Sequence, residues 1–290
     1  MTSFSPIPFR IESPRSFGGA IEGLIQRSGK PGRRPAVLVC HGFKGFMEWG
    51  FFPPLADLLA DRGFTVVRFN YSGSGMRPGE DRVFDLEAFR GNTFSLELEE
   101  TLLMLSALEG LDPEHIDPDR IALMGHSRGG GAAILAAADE AWRERLGALV
   151  TWSAVATFDR YGTGAREKWR EDGALEIANA RTGQSLQLGL ELLEDVEKNG
   201  ERLDLESAAS RRRAPWLLVH GRRDETVPLE EAETLFAAAQ RDRAADSLAL
   251  EVVDEGSHTF GSRHPFAGPT REIIQAMNAT QVWLRRHLRV

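Results

Sequence analysis

The feature that most constrains the fold is a run of small residues between an apolar segment and an alanine-rich one. The run reads Gly125-His126-Ser127-Arg128-Gly129-Gly130, and it joins residues 121–124 to residues 132–140. A short, continuous apolar segment suits a strand that is buried on both faces. The glycines permit a sharp turn and a close approach of the next element. The run therefore predicts a buried strand, a tight turn and a helix.

Similar units recur along the chain, because short apolar segments alternate with longer amphipathic ones. Such alternation is typical of an α/β fold with a mostly parallel sheet and helices on both faces. Two early segments, 9–12 and 19–26, are predicted to open the sheet as antiparallel strands. The later predicted strands are 36–40, 64–69, 121–124, 148–152, 216–219 and 248–253, and the predicted helices include 52–62, 87–108, 229–238 and 273–288.

The alternation is interrupted between residues 158 and 213. This segment is polar, shows no convincing buried strand, and carries Leu186, Leu190, Leu193 and Val196 at helical spacing. We interpret 158–213 as a helical cap or lid, inserted into a core formed by 1–157 and 214–290. The arginine triplet 211–213 at its end is interpreted as a solvated face, with binding of an anionic substrate as the alternative.

Composition excludes several classes of function. The 290 residues carry a formal net charge of −8, which argues against a nucleic-acid partner because phosphate binding requires a basic surface. The single cysteine, Cys40, cannot form an intramolecular disulfide. No apolar run reaches the ~18 residues of a membrane span, and the N-terminal segment lacks a signal-peptide core. We therefore expect a cytoplasmic protein; its oligomeric state stays open, with a homodimer as one option.

Ser127 is the candidate nucleophile, because Gly-x-Ser-x-Gly between a strand and a helix is a known hydrolase pattern. The alternative, a glycine-rich turn of a dinucleotide-binding fold, is disfavoured because no Gly-x-Gly-x-x-Gly follows the first parallel strand. A serine hydroxyl needs a base within hydrogen-bond reach. Of the seven histidines, His258 fits best, because it follows the last predicted strand in a loop of small residues.

Asp224 is the candidate acid that orients His258, with Asp159 and Glu225 as weaker rivals. It follows the strand 216–219, so the order along the chain is Ser, Asp, His. The backbone N–H groups of Phe43 and Arg128 are the candidate oxyanion donors. Trp152, Phe158 and Tyr161 are candidates for a substrate pocket; they, and Trp169, lie near the predicted lid hinge, and packing of the lid is the alternative.

These segments together resemble the α/β-hydrolase superfamily over nearly the whole chain. The matching pieces are His41-Gly42-Phe43, residues 125–130, His220-Gly221-Arg222-Arg223-Asp224 with Val227-Pro228, and Gly256-Ser257-His258. Within the superfamily the chain looks most like bacterial serine esterases and acyl-peptidase-like members with a helical cap, such as the cinnamoyl and feruloyl esterase group. The resemblance implies an eight-stranded sheet, a triad at its C-terminal edge, and the roles assigned above to Ser127, Asp224, His258, Phe43 and Arg128.

The sequence therefore predicts a serine hydrolase that cleaves a carboxylic ester of a small or medium acyl or aromatic substrate through an acyl-enzyme. No cofactor is expected, and no cluster of ligands has the spacing of a metal site. Two alternatives stay open: an amidase or peptidase with the same triad, and a non-catalytic protein that binds a small molecule. A dehalogenase is disfavoured, because it would need aspartate at the position of Ser127.

Overall fold

The central feature of the computed structural model is a mixed sheet of eight strands. The structure describes residues 5–13, 16–240 and 247–290. The strands of this sheet are β1 (Ile7–Glu12), β2 (Ala20–Gln26), β3 (Arg34–Cys40), β4 (Thr65–Asn70), β5 (Ile116–His126), β6 (Leu146–Trp152), β9 (Trp216–Gly221) and β10 (Leu248–Val253). Their spatial order is β1-β2-β4-β3-β5-β6-β9-β10. Strand β2 is antiparallel to both its neighbours, and the other pairs are parallel. This confirms the predicted fold class.

Helices cover both faces of the sheet, as the pattern predicts. The helices are α1 (Phe52–Asp61), α2 (Leu86–Arg90), α3 (Phe94–Leu111), α4 (Arg128–Ala138), α5 (Thr163–Asp172), α6 (Leu190–Asn199), α7 (Leu205–Arg211), α8 (Leu229–Ala239) and α9 (Arg271–Leu288). Alternate side chains of one strand point to opposite faces. Val37 and Val39 accordingly pack with α1 and α9, whereas Leu38 and Cys40 pack with α3, α4 and α8.

The helix predicted over 87–108 is two helices. Helix α2 ends at Arg90, and α3 begins after Thr93, whose side-chain oxygen accepts a hydrogen bond from the N–H of Leu96 at 3.1 Å. A threonine in this position satisfies a free N–H of the first turn and so favours a new helix start. Gly91, with its low helix propensity, lies at the break.

The inserted segment is not wholly helical, which corrects the prediction. Between α5 and α6 it contains an antiparallel hairpin of β7 (Ala174–Asn179) and β8 (Gln184–Gly189). Leu186, assigned to a helix from its spacing, lies in β8, and it alternates there with exposed neighbours. Spacing of three to four residues and alternation of two are hard to separate over one short segment. The hairpin packs on the α3 and α4 side of the sheet.

No helix within the described ranges combines the length and apolar character needed to cross a membrane.

Candidate active site

Ser127 lies at the turn between β5 and α4, near the middle of the sheet's carboxyl edge. Its backbone has φ of 55° and ψ of −123°, a conformation that costs a non-glycine residue roughly 1–3 kcal/mol. The surrounding structure holds it there: its N–H donates to the carbonyl of Trp152 at 2.9 Å, and its own carbonyl accepts from the N–H of Gly130 at 2.9 Å. The strained turn places a serine side chain at the start of the helix.

Two glycines make this turn possible, because neighbouring backbone atoms occupy the space that a side chain at either position would need. A Cβ at Gly125 would lie 2.2 Å from the carbonyl oxygen of Gly129, and a Cβ at Gly129 would lie 2.2 Å from that of His41. Neither distance is compatible with any side chain. The glycines therefore let the turn close on itself and on the end of β3.

Ser127, His258 and Asp224 form one hydrogen-bonded row. His258 Nε2 lies 3.0 Å from Ser127 Oγ, and His258 Nδ1 lies 2.8 Å from Asp224 Oδ2. Asp224 follows β9 and His258 follows β10, so two neighbouring parallel strands deliver them to the same edge. Each distance is within the range expected for a base poised to accept a proton and an acid that orients it.

Asp224 is a buried carboxylate whose oxygens are all engaged. Its Oδ1 accepts from the N–H groups of Thr226 and Val227 at 2.9 and 2.8 Å. Burial alone would raise the pKa of Asp224, but the hydrogen bond and charge of His258 and these two N–H groups lower it below its usual value. The group therefore stays ionised at neutral pH and favours the Nδ1–H tautomer of His258.

The two rival acids, Asp159 and Glu225, are not hydrogen-bonded to His258. The Asp159 side chain is 53% exposed and pairs with Arg166, and Glu225 is exposed.

The two candidate oxyanion donors border the same space as Ser127 Oγ. Arg128 is the first residue of α4, so its N–H has no partner within the helix. Phe43 lies in the loop after β3, and a Cβ at the preceding Gly42 would be 3.0 Å from Ser127 Cβ. The loop thus lies directly against the serine turn.

His126 has a contact that the sequence did not reveal. Its Nε2 lies 3.0 Å from the carbonyl oxygen of His258. Burial, reinforced by the charge of His258, lowers the pKa of His126 to about 3, so the ring is neutral. Because its partner is a carbonyl, Nε2 carries the proton and donates. Adjacency to the serine in sequence was the only available signal.

Two cavities meet at Ser127 and His258. The smaller, about 230 Å³, is bordered by the loop 42–45 and by Trp49, Phe52 and Asn179. The larger, about 310 Å³, is bordered by Phe94, Val155, Val227 and the first residues of the insertion. Both are near the lower end of the usual range for small-molecule sites, which suits a compact substrate.

Of the three candidates for a substrate pocket, Phe158 and Tyr161 border the larger cavity, whereas Trp152 borders neither cavity. Trp152 is fully buried, packs against Phe51 and Phe260, and donates its indole N–H to Thr280 Oγ1 at 2.9 Å. As the last residue of β6 it points to the sheet face opposite the insertion, so its assignment to the pocket was wrong. Trp169 is also buried and donates to the carbonyl of Leu188, within the insertion.

Comparison with known proteins shows the family of the chain. A family model described as the prolyl oligopeptidase family matches residues 49–290. The chain belongs to this family. It therefore has the α/β-hydrolase fold and belongs to the α/β-hydrolase superfamily. Within the described residues, no group of three or more His, Cys, Asp or Glu side chains is placed to hold a metal ion.

Three proteins similar to this prolyl oligopeptidase family member share 17–26% identity with it. The chain is 26% identical over 285 residues to the uncharacterized peptidase YuxL of Bacillus subtilis; the match covers 97% of this chain and 39% of YuxL. The esterase domain of a Rhodothermus marinus protein superimposes with a TM-score of 0.65 at 19% identity, covering 98% of this chain and all of that one. Acylaminoacyl peptidase of Pyrococcus horikoshii superimposes with a TM-score of 0.70 at 17% identity, covering 99% and 42%. The chain thus spans about two-fifths of YuxL and of the peptidase.

Proposed function

We propose that this member of the prolyl oligopeptidase family is a serine esterase that cleaves carboxylic esters of small or medium acyl or aromatic groups. The observation that carries the proposal is the row of Ser127, His258 and Asp224, with successive distances of 3.0 and 2.8 Å. Residues 158–213 act as the lid over this row, on a core of 1–157 and 214–290.

The proposed reaction proceeds through an acyl-enzyme. His258 Nε2 takes the proton of Ser127 Oγ as the oxygen attacks the ester carbonyl carbon. The resulting oxyanion accepts hydrogen bonds from the N–H groups of Phe43 and Arg128. The tetrahedral intermediate then collapses, and the alcohol leaves with the proton from His258. Water, deprotonated by His258, attacks the acyl carbon and releases the acid, while Ser127 regains its proton.

Amide or peptide cleavage is the second candidate. It is favoured by the family match and by the likeness to an acylaminoacyl peptidase, which uses the same fold. The small size of the two cavities favours short substrates in either case.

The test is hydrolysis of p-nitrophenyl esters from acetate to long acyl chains, beside N-acetyl amino-acid p-nitroanilides, by wild type and Ser127→Ala. We expect short and medium esters to be cleaved, and activity to fall by about 10³-fold or more in the variant. Activity on anilides alone would replace the esterase by the peptidase. Ester hydrolysis that survives Ser127→Ala, or a failure of Ser127 to react with a serine-directed phosphonate, would refute both.

A further inference from the structure

The larger cavity has an unusual electrostatic character for a mainly apolar pocket. Its lining includes Lys44, Arg128 and Arg160 among aromatic, aliphatic and hydroxyl-bearing side chains. Three of these side chains are cationic and none is a carboxylate. Arg128 and Arg160 have carboxylate partners behind the lining, Glu97 and Glu231. Lys44 has no carboxylate within 4.0 Å among the residues that the structure describes. The cavity therefore presents an excess of positive charge to whatever enters it.

Arg128 is the most constrained of these cations. Only 7% of its side chain is exposed, and its guanidinium carbon lies 4.1 Å from the ring centre of Phe94. Nε donates to Glu97 Oε2 at 2.8 Å, and Glu97 Oε1 is already occupied by the amide of Asn92. Nη2 is buried, and no acceptor for it exists within the described part of the chain. The residue also borders the cavity, and its carboxylate partner is shared with Asn92, so an anion in the cavity would be attracted by a charge that is only partly neutralised.

Lys44 also borders the cavity, on the loop that carries Phe43. Its Nζ donates to the carbonyl of Ala178 in the insertion at 3.2 Å, and the residue borders both cavities. Partial burial lowers the pKa of Lys44, because the ammonium has lost water without gaining a counter-ion. An anion bound beside it would restore that lost stabilisation.

We propose that the larger cavity binds a carboxylate of the substrate, so that the preferred esters carry a free acid group on the part lodged beside Arg128 and Lys44. The inference rests on the proposed serine-hydrolase function. Two sources have this chemistry: a half-ester of a dicarboxylic acid carries the carboxylate on its acyl part, and an ester of a hydroxybenzoic acid carries it on the leaving group.

Matched pairs of esters separate these sources. For a carboxylate on the acyl part, mono-p-nitrophenyl glutarate is compared with p-nitrophenyl pentanoate. For a carboxylate on the leaving group, 4-carboxyphenyl butyrate is compared with phenyl butyrate. Spontaneous hydrolysis is subtracted from each rate. We expect kcat/KM of wild type to favour the acid-bearing ester in one pair. A preference for the neutral ester in both pairs would overturn the inference while leaving the proposed function intact, since Ser127-dependent hydrolysis of the neutral esters tests that function by itself.

Variants then assign the preference to residues. Lys44→Met and Arg128→Met should each lower the ratio of kcat/KM for the acid-bearing ester to that for its neutral partner by about tenfold. Lys168→Met removes an equal charge from the outer face of the insertion, where Lys168 pairs with Asp172, and should leave the ratio unchanged. Arg128→Met leaves Glu97 unpaired and could fail to fold, so the partly exposed Lys44 provides the second variant. If the ratio of the two kcat/KM values is equal in wild type and Lys44→Met, the assignment is refuted.

Discussion

At the scale of single residues, most of the side chains around Ser127 could be predicted from the sequence. Its pattern Gly-x-Ser-x-Gly predicts both the nucleophile and the strained turn, because crossing backbone leaves room only for glycine at positions 125 and 129. His258 and Asp224 were predicted from their place after two strands, and the structure brings both to Ser127. Trp152 could not be placed in this way, because the last residue of a strand may face either side of the sheet and sequence does not specify which.

Substitution of Asp224 by asparagine tests the assigned row of residues. Asp224→Asn keeps the shape of the side chain but removes the charge that favours the Nδ1–H tautomer of His258. We expect kcat on a p-nitrophenyl ester to fall by roughly 10³–10⁴-fold, as in other serine hydrolases. Asp159→Asn is the control, because this exposed rival pairs with Arg166 at the surface. Comparable losses in the two variants would mean that Asp224 has no special role.

At the scale of elements, strands buried on both faces were predicted best and the insertion worst. The run 36–40 lies within β3, whose residues 35–40 are all buried, so its apolar character leaves little ambiguity. The hairpin of β7 and β8 has exposed residues at alternate positions and lies against helices rather than in the main sheet. The arginine triplet 211–213, interpreted from sequence as a solvated face, is only partly exposed. Arg212 is completely buried over Trp216, and only the flanking arginines are exposed.

The turn between β5 and α4 should be intolerant of even the smallest side chain. Gly129→Ala would place a methyl group 2.2 Å from the carbonyl oxygen of His41, so β3 and α4 would have to separate. We expect this variant to lose several kcal/mol of stability or to fail to fold, by analogy with severe overpacking. Gly110→Ala, where a Cβ would meet no atom within 4 Å, should be neutral or stabilising by up to ~1 kcal/mol. Thermal unfolding of both variants measures the difference; a Tm near wild type for Gly129→Ala would contradict the described turn.

For the whole molecule, buried neutral histidines make stability depend on pH. Burial, opposed by a hydrogen bond with the Gly42 carbonyl, lowers the pKa of His41 to about 4, and burial lowers that of His126 to about 3. In the unfolded chain both titrate near 6.5, so the unfolded state takes up protons first as pH falls. Their contribution is therefore present above pH 6.5 and is lost progressively down to about pH 4 and pH 3, respectively.

Between pH 7 and pH 5 we expect the free energy of unfolding to fall by about 2 kcal/mol for each of these two histidines. Urea denaturation at both pH values measures the loss. His126→Gln cannot titrate, so its loss over the same interval should be smaller by about 2 kcal/mol. An equal loss in this variant and in wild type would show that His126 is protonated in the folded protein.

The buried thiol of Cys40 can be used to measure local opening of the core. The thiol is fully buried at the end of β3, where Cys40 pairs with Gly125 of β5, and burial raises its pKa to about 12. The side chain points to the α3 and α4 face of the sheet, with Sγ 3.9 Å from Thr101 Oγ1 of α3, so a thiol reagent must wait until a helix on this face moves away. We expect a disulfide reagent in excess to label the native protein without any burst, at a rate set by opening and not by reagent chemistry. Because α4 begins directly after Ser127, the labelling rate measures how often the helix packing behind the catalytic serine opens.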